Sequence, residues 1–150
     1  MHAFRAIYRF WVSLVLLAVV VQIAFAGYGA FDVADKVDDG GSVDEDSFVD
    51  SFGPHMGLGY LILLGSLVLL LVSFGAKGRQ RILRSTAVFV LLIVQVLLAW
   101  TGGAVPYISG ALHPINAFII LGLLGTITYR EWKVERRMAP REAAVAAPPA

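Results

Sequence analysis

Four long apolar runs, roughly 11–31, 54–76, 85–105 and 111–129, are separated by polar segments along the chain. Each is close to the ~20 apolar residues that a helix needs to cross ~30 Å of hydrocarbon. The apolar residues are concentrated in these runs rather than spread over amphipathic elements. The pattern predicts an all-α membrane protein, a four-transmembrane-helix bundle in residues 1–131. A polar segment, 32–53, joins the first two helices, and an alanine- and proline-rich tail, 132–150, is expected to be disordered. A composition that is 58% hydrophobic in 150 residues excludes a soluble core.

Net charge, +1, says little, whereas its distribution orients the bundle. Arg5 and Arg9 precede the first run, Lys77, Arg79, Arg81 and Arg84 lie between the second and third, and Arg130, Lys133, Arg136, Arg137 and Arg141 follow the fourth. Segment 32–53 carries Asp32, Asp35, Asp38, Asp39, Asp44, Glu45, Asp46 and Asp50, with Lys36 as its one basic residue. The positive-inside bias predicts cytoplasmic termini and an external acidic loop, as in a multi-pass protein of a bacterial cell membrane. One competing reading is a cleaved secretory signal ending at Ala24-Phe25-Ala26, but the run is long for such a signal and stays apolar past that point. The absence of cysteine excludes disulfides, thiolate metal sites and thiol catalysis.

The two halves of the chain resemble each other. Val20-Val21-Gln22-Ile23-Ala24-Phe25-Ala26 aligns with Ile93-Val94-Gln95-Val96-Leu97-Leu98-Ala99, and Gly29-Ala30 then meets Gly102-Gly103. Setting His55 on His113 puts Tyr60-Leu61-Ile62-Leu63 on Phe118-Ile119-Ile120-Leu121 and Gly59 on Ala117. Each half reads as a helix with an internal Gln, a glycine-containing exit, an external segment, and a helix that opens with His. Two parallel helix-hairpin repeats follow, related by an axis along the membrane normal.

An ionisable ring inside a membrane helix is costly, which makes His55 and His113 candidate functional residues. Symmetry sets them at one depth, about one turn inside their runs, across the axis from each other. Gly59 and Ala117 lie one turn deeper on the same faces, and Ile62 and Ile120 follow. Small residues beside the rings and apolar ones below fit a flat macrocycle, so bis-histidine ligation of a haem iron uses every one of these positions. A lone histidine near a membrane interface more often reaches headgroups or a neighbouring helix; pairing by a repeat favours the ligand reading. A closed zinc site lacks the other two ligands it needs, since His2 is on the opposite side. A proton relay lacks intramembrane carboxylates. Gln22 and Gln95 are expected about two turns below the external ends, deeper than the histidines, either fixing helix packing by interhelical hydrogen bonds or touching a cofactor edge. Asn116 is a further candidate for a bond across the bundle. Pro54 and Pro114 are expected in first turns, where proline costs little. The register of Asp35, Asp39, Gly40 and Asp46 is EF-hand-like, but Val37 and the missing glutamate spoil it. A solvated loop able to meet a basic partner is the simpler reading.

Gln95, Gly102-Gly103 and Ala111-Leu112-His113 together resemble the third and fourth helices of one half of the haem A synthase family. Leu112-His113-Pro114-Ile115-Asn116 and Phe52-Gly53-Pro54-His55 look closer to an uncharacterised family of small four-helix bacterial membrane proteins. The similarity spans residues 12–130. It implies that the synthase family's histidine positions carry over to His55 and His113. The family's acidic residue and arginine near the first histidine correspond here to Phe52 and Met56, and its external cysteine pair is missing, so its catalytic apparatus does not carry over. The expectation is one haem b per chain, with His55 and His113 as iron ligands and Gln22, Gln95, Gly59, Ala117, Ile62 and Ile120 around it. No catalytic residue is assigned, and the missing acidic residue and cysteine pair lean against an enzyme without deciding the question. One-electron transfer or haem sensing and handling is the implied work, with membrane quinol or an external redox protein as partner, a homodimer as the suggested assembly and no role for nucleic acid. A cofactor-free accessory subunit of a membrane complex is the alternative.

Overall fold

The computed structural model describes the backbone of residues 2–146 and the side chains of residues 3–133. Helices α1 (His2–Asp38), α2 (Glu45–Ala76), α3 (Arg79–Trp100) and α4 (Pro106–Ala146) make up nearly all of it, with a short 3-10 turn at Thr101–Gly103 before α4. All four are long and apolar enough to cross a membrane. Each packs beside its neighbour in sequence and α4 closes the ring against α1, so α1 lies diagonal to α3, and α2 to α4.

The helices overrun the apolar segments. The 37 residues of α1 rise about 55 Å, well beyond the hydrocarbon thickness. The segment 32–53, expected as a loop, is helical except for residues 39–44. Hydropathy marks where lipid contact ends, whereas helix ends are set by caps and turns. The turn here is made by Gly40 at φ +79°, and Asp44 caps α2 by accepting from the Ser47 backbone N–H at 2.9 Å. The Ser47 side chain and N–H hold the Asp44 carboxyl below the usual carboxylate range. Alongside, Lys36 Nζ reaches Asp32 at 2.8 Å and the Ser51 hydroxyl at 2.9 Å, which pins α1 to α2 beyond their apolar parts. With Asp35 inside α1 and Asp46 inside α2, the EF-hand register is not a loop at all.

At the other boundaries, α3 ends at Trp100 rather than 105, where Thr101-Gly102-Gly103 tightens the chain. Helix α4 begins at Pro106 and is helical to Ala146, where disorder was expected from 132; Ala, Glu, Arg and Met in that stretch are good helix formers. Residues 147–150 of the expected tail lie outside the described residues. Pro106 takes the helix-opening position assigned to Pro114. Pro54 and Pro114 are therefore interior, and each removes the hydrogen bond to a carbonyl four residues back, at Asp50 and Gly110.

One seam with three-, four- or seven-residue steps runs down each helix and faces the axis. On α1 it comprises Tyr8, Val12, Val15, Val19 and Gln22, and on α2 His55, Ile62, Ser66, Leu69, Ser73 and Ala76. On α3 it comprises Ser85, Val88, Leu92 and Gln95, and on α4 His113, Asn116, Ile120, Leu124 and Ile127. The apolar members form the buried core, and the spacing is that of left-handed helix bundles. Serine on the seam lets helices approach closely, and Ser66 and Ser73 satisfy their hydroxyls on the Leu63 and Leu70 carbonyls of their own helix. Helices α1 and α2 approach most tightly: a Cβ on Gly75 would sit 2.5 Å from the Phe4 ring, and one on Gly29 would sit 2.9 Å from the Ser51 carbonyl oxygen. At the end holding the termini, the Tyr8 hydroxyl meets Ser85 at 3.0 Å across the core, and Arg81 forms two 2.9 Å bonds to Glu131.

Candidate cofactor site

Because the histidines and glutamines occupy the same seams as the core, the bundle turns all four inward. Valine, isoleucine and leucine, with buried Ser66 among them, fill the axis from Val12 up to Ile62 and Ile120, and above them the seam turns to histidine, glutamine and asparagine. There the His55 and His113 rings face each other across the α2–α4 diagonal, with centroids 6.3 Å apart and planes inclined by 54°. Both residues are half-buried.

A cavity of about 310 Å³ surrounds the pair. His55, His113, Gly59, Ala117, Ile62, Ile120, Gln22 and Gln95, the eight residues expected at the site, all line it. So do Met56, Tyr60, Trp100 and Phe118, which the sequence did not single out. The last three are largely exposed, and Trp100 donates to the Tyr60 hydroxyl at 3.0 Å, so the cavity opens between helices toward the lipid-facing surface. Its walls are otherwise apolar, as is usual for sites that take a largely hydrophobic ligand.

The glutamines lie level with the histidines, not deeper as expected. Gln22 Nε2 donates to the His55 backbone carbonyl at 2.7 Å, and Gln95 Nε2 donates to that of His113 at 3.0 Å. Depth had been counted from the ends of the apolar runs, and α1 continues past that point. These are the interhelical hydrogen bonds of the structural reading, and they also put both amides on the cavity wall. Gly59 also serves the packing: a Cβ there would come within 3.1 Å of Gln22 Nε2, so glycine makes room for the amide.

The two halves then differ. His55 Nδ1 lies 3.1 Å from the Gln22 backbone carbonyl. A carbonyl only accepts, so Nδ1 is the donor in this contact, which leaves Nε2 as the nitrogen turned to any metal, the arrangement found behind metal-bound imidazoles. His113 Nδ1 is buried and has no hydrogen-bond partner among the described residues. For the glutamines the asymmetry is reversed. Asn116 donates to Gln95 Oε1 at 2.7 Å and to the Leu91 carbonyl at 2.9 Å, which is the expected bond across the bundle. The residue that corresponds to Asn116 when His55 is set on His113 is Leu58, and Gln22 Oε1 is left buried without a partner among the described residues. Flipping the Gln22 amide would set oxygen against the His55 carbonyl, so the unpaired atom is the oxygen.

The pair can be tested against a metal between the rings. Two metal–nitrogen bonds of about 2 Å, each with about 1 Å more to the ring centre, separate centroids by about 6 Å, against 6.3 Å here. Among the described residues, no group of three or more His, Cys, Asp or Glu comes together. A two-histidine site of this span suits an ion whose remaining ligands come from a macrocycle, and does not suit a closed tetrahedral zinc site. Beyond the pair, Phe52 packs edge-on against His55 with centroids 6.2 Å apart, and Phe48 stacks on Phe52 at 4.7 Å, a ladder that leads toward the acidic turn. Comparison of the chain with protein-family models, with curated proteins and with solved structures gave no match.

Proposed function

We propose that the chain is a membrane b-type haem protein that holds one haem between His55 and His113 for one-electron transfer or for haem sensing and handling. The observation that carries this reading is the imidazole pair itself: two rings 6.3 Å apart in an apolar cavity, with the His55 ring oriented by a carbonyl. The haem would supply the redox chemistry. His55 and His113 would hold it through their ring nitrogens, in a low-dielectric pocket built from Ile62, Ile120 and Ala117, with their backbone carbonyls fixed by Gln22 and Gln95. Membrane quinol and an external redox protein are the partners this reading calls for. The synthase family's acidic residue and cysteine pair have no counterpart in this chain, so we propose no catalytic conversion of the haem.

The same reading takes the bundle as two parallel hairpin repeats with both termini in the bacterial cytoplasm. The paired bonds from Gln22 to the His55 carbonyl and from Gln95 to the His113 carbonyl support the repeat. The run of basic residues flanking the termini and the α2–α3 turn supports the orientation. A cysteine at Ser42 should react with an impermeant thiol reagent applied outside intact cells, and one at Gly78 should not. The opposite labelling pattern would invert the topology.

Purified protein produced with ample haem should show the sharp Soret and visible bands of a six-coordinate low-spin haem, with one haem per chain. A preparation with no Soret band refutes the haem reading and leaves the accessory-subunit alternative.

A further inference from the structure

The two imidazoles of the pair are not held alike. His55 has its Nδ1 on the Gln22 carbonyl at 3.1 Å, a contact that fixes the ring and strengthens Nε2 as a donor to a metal. His113 has no such contact among the described residues. Gln95, its neighbour on α3, gives its amide N–H to the His113 backbone carbonyl and its oxygen to Asn116, so it anchors the backbone of α4 but not the ring. Outer hydrogen bonds of this kind are worth about 10- to 100-fold in metal affinity. The other unpaired group lining the cavity, Gln22 Oε1, is an acceptor available to an imidazole N–H that has swung away from the axis.

Resting on the bis-histidine haem reading, we propose that His55 is the permanent axial ligand and His113 the exchangeable one. In the ferrous state a small neutral ligand of the carbon monoxide class then takes the position that His113 leaves. The bond from His113 Nε2 breaks with its electron pair retained on the neutral imidazole, and the incoming molecule supplies its own lone pair. No electron is gained or lost and no proton needs to move. The surrounding wall of Ile62, Ile120 and Ala117 is apolar and suits a diatomic molecule better than a charged one. The site is thereby a receptor for a diffusible gas as well as a redox centre.

The test is carbon monoxide titration of the dithionite-reduced, haem-loaded full chain, read by the Soret and visible bands. The expected result is conversion of the low-spin spectrum to that of a carbonyl adduct. His113→Ala should keep haem in a five-coordinate, high-spin form that binds carbon monoxide at least tenfold more tightly than wild type. His55→Ala should retain haem at least tenfold less well than His113→Ala. If the alanine variants fold poorly, the same variants folded with imidazole supplied give the comparison, with a wild-type-like spectrum restored more readily in His113→Ala. A wild-type bis-histidine spectrum that ignores carbon monoxide, or equal haem loss from the two variants, overturns the assignment while leaving the haem reading in place. A wild-type protein without any haem spectrum removes both.

Discussion

Alanine in place of either His55 or His113 is expected to abolish the six-coordinate low-spin spectrum, the largest functional effect of any single substitution in this chain. On the proposed haem reading each ring would supply one ligand nitrogen, and among the described residues no third His, Cys, Asp or Glu joins them to substitute. Gln22→Ala and Gln95→Ala are the controls. Both amides bond to the backbone carbonyls of the histidines and not to their rings, so these variants should keep the low-spin bands. The contact at His55 Nδ1 comes from the Gln22 main chain and survives side-chain removal. A shifted midpoint potential or a lower thermal midpoint is the expected phenotype of the glutamine variants. Optical spectra of all four proteins at equal haem loading provide the check, and an unchanged spectrum in either histidine variant contradicts the assignment.

The largest stability effect should come from the opposite end of the bundle. Arg81 and Glu131 form a two-pronged ion pair with side chains only 18% and 10% exposed. Removing one member of such a pair strands the other where it is poorly solvated, at about 3–5 kcal/mol. Glu131→Gln should cost about 3 kcal/mol, the lower end of that range, because Arg81 keeps its 3.0 Å bond to the Lys77 carbonyl. The double variant Arg81→Met with Glu131→Leu should recover most of the loss, since replacing both charges by apolar groups of similar size is close to neutral. Unfolding in detergent micelles, followed by circular dichroism, measures both. A single variant as stable as wild type would mean that the pair is solvated.

Much of the site was legible in the sequence because membrane burial makes polar residues conspicuous. His55, His113, Gln22, Gln95 and Asn116 stand out against aliphatic neighbours, and the apparent repeat suggests which belong together. Depths and helix ends were less legible. Apolar runs report contact with hydrocarbon, and α1 and α2 continue for about two turns beyond it, held by Lys36, Asp32 and Ser51. That overrun, together with the early end of α3 at Trp100, set the glutamines level with the histidines, and it placed Pro54 inside a helix. The inequivalence of the two glutamines had a visible signal, Leu58 where the other half has Asn116. Its meaning required knowing that Asn116 satisfies Gln95 Oε1. Tyr60, Trp100 and Phe118 had no signal, since an aromatic residue on a membrane helix is ordinarily read as lipid contact.

The close contacts of Gly75 with Phe4 and of Gly29 with Ser51 lie near opposite ends of the α1–α2 pair. Fastened at both ends, these two helices cannot slide or splay independently and behave as one rigid post. Helices α3 and α4 are linked to the post by fewer close backbone approaches. Any widening of the cavity to admit a planar molecule from the bilayer would then swing α4 and its His113 outward while His55 stays in place, like a door hung on the α1–α2 post.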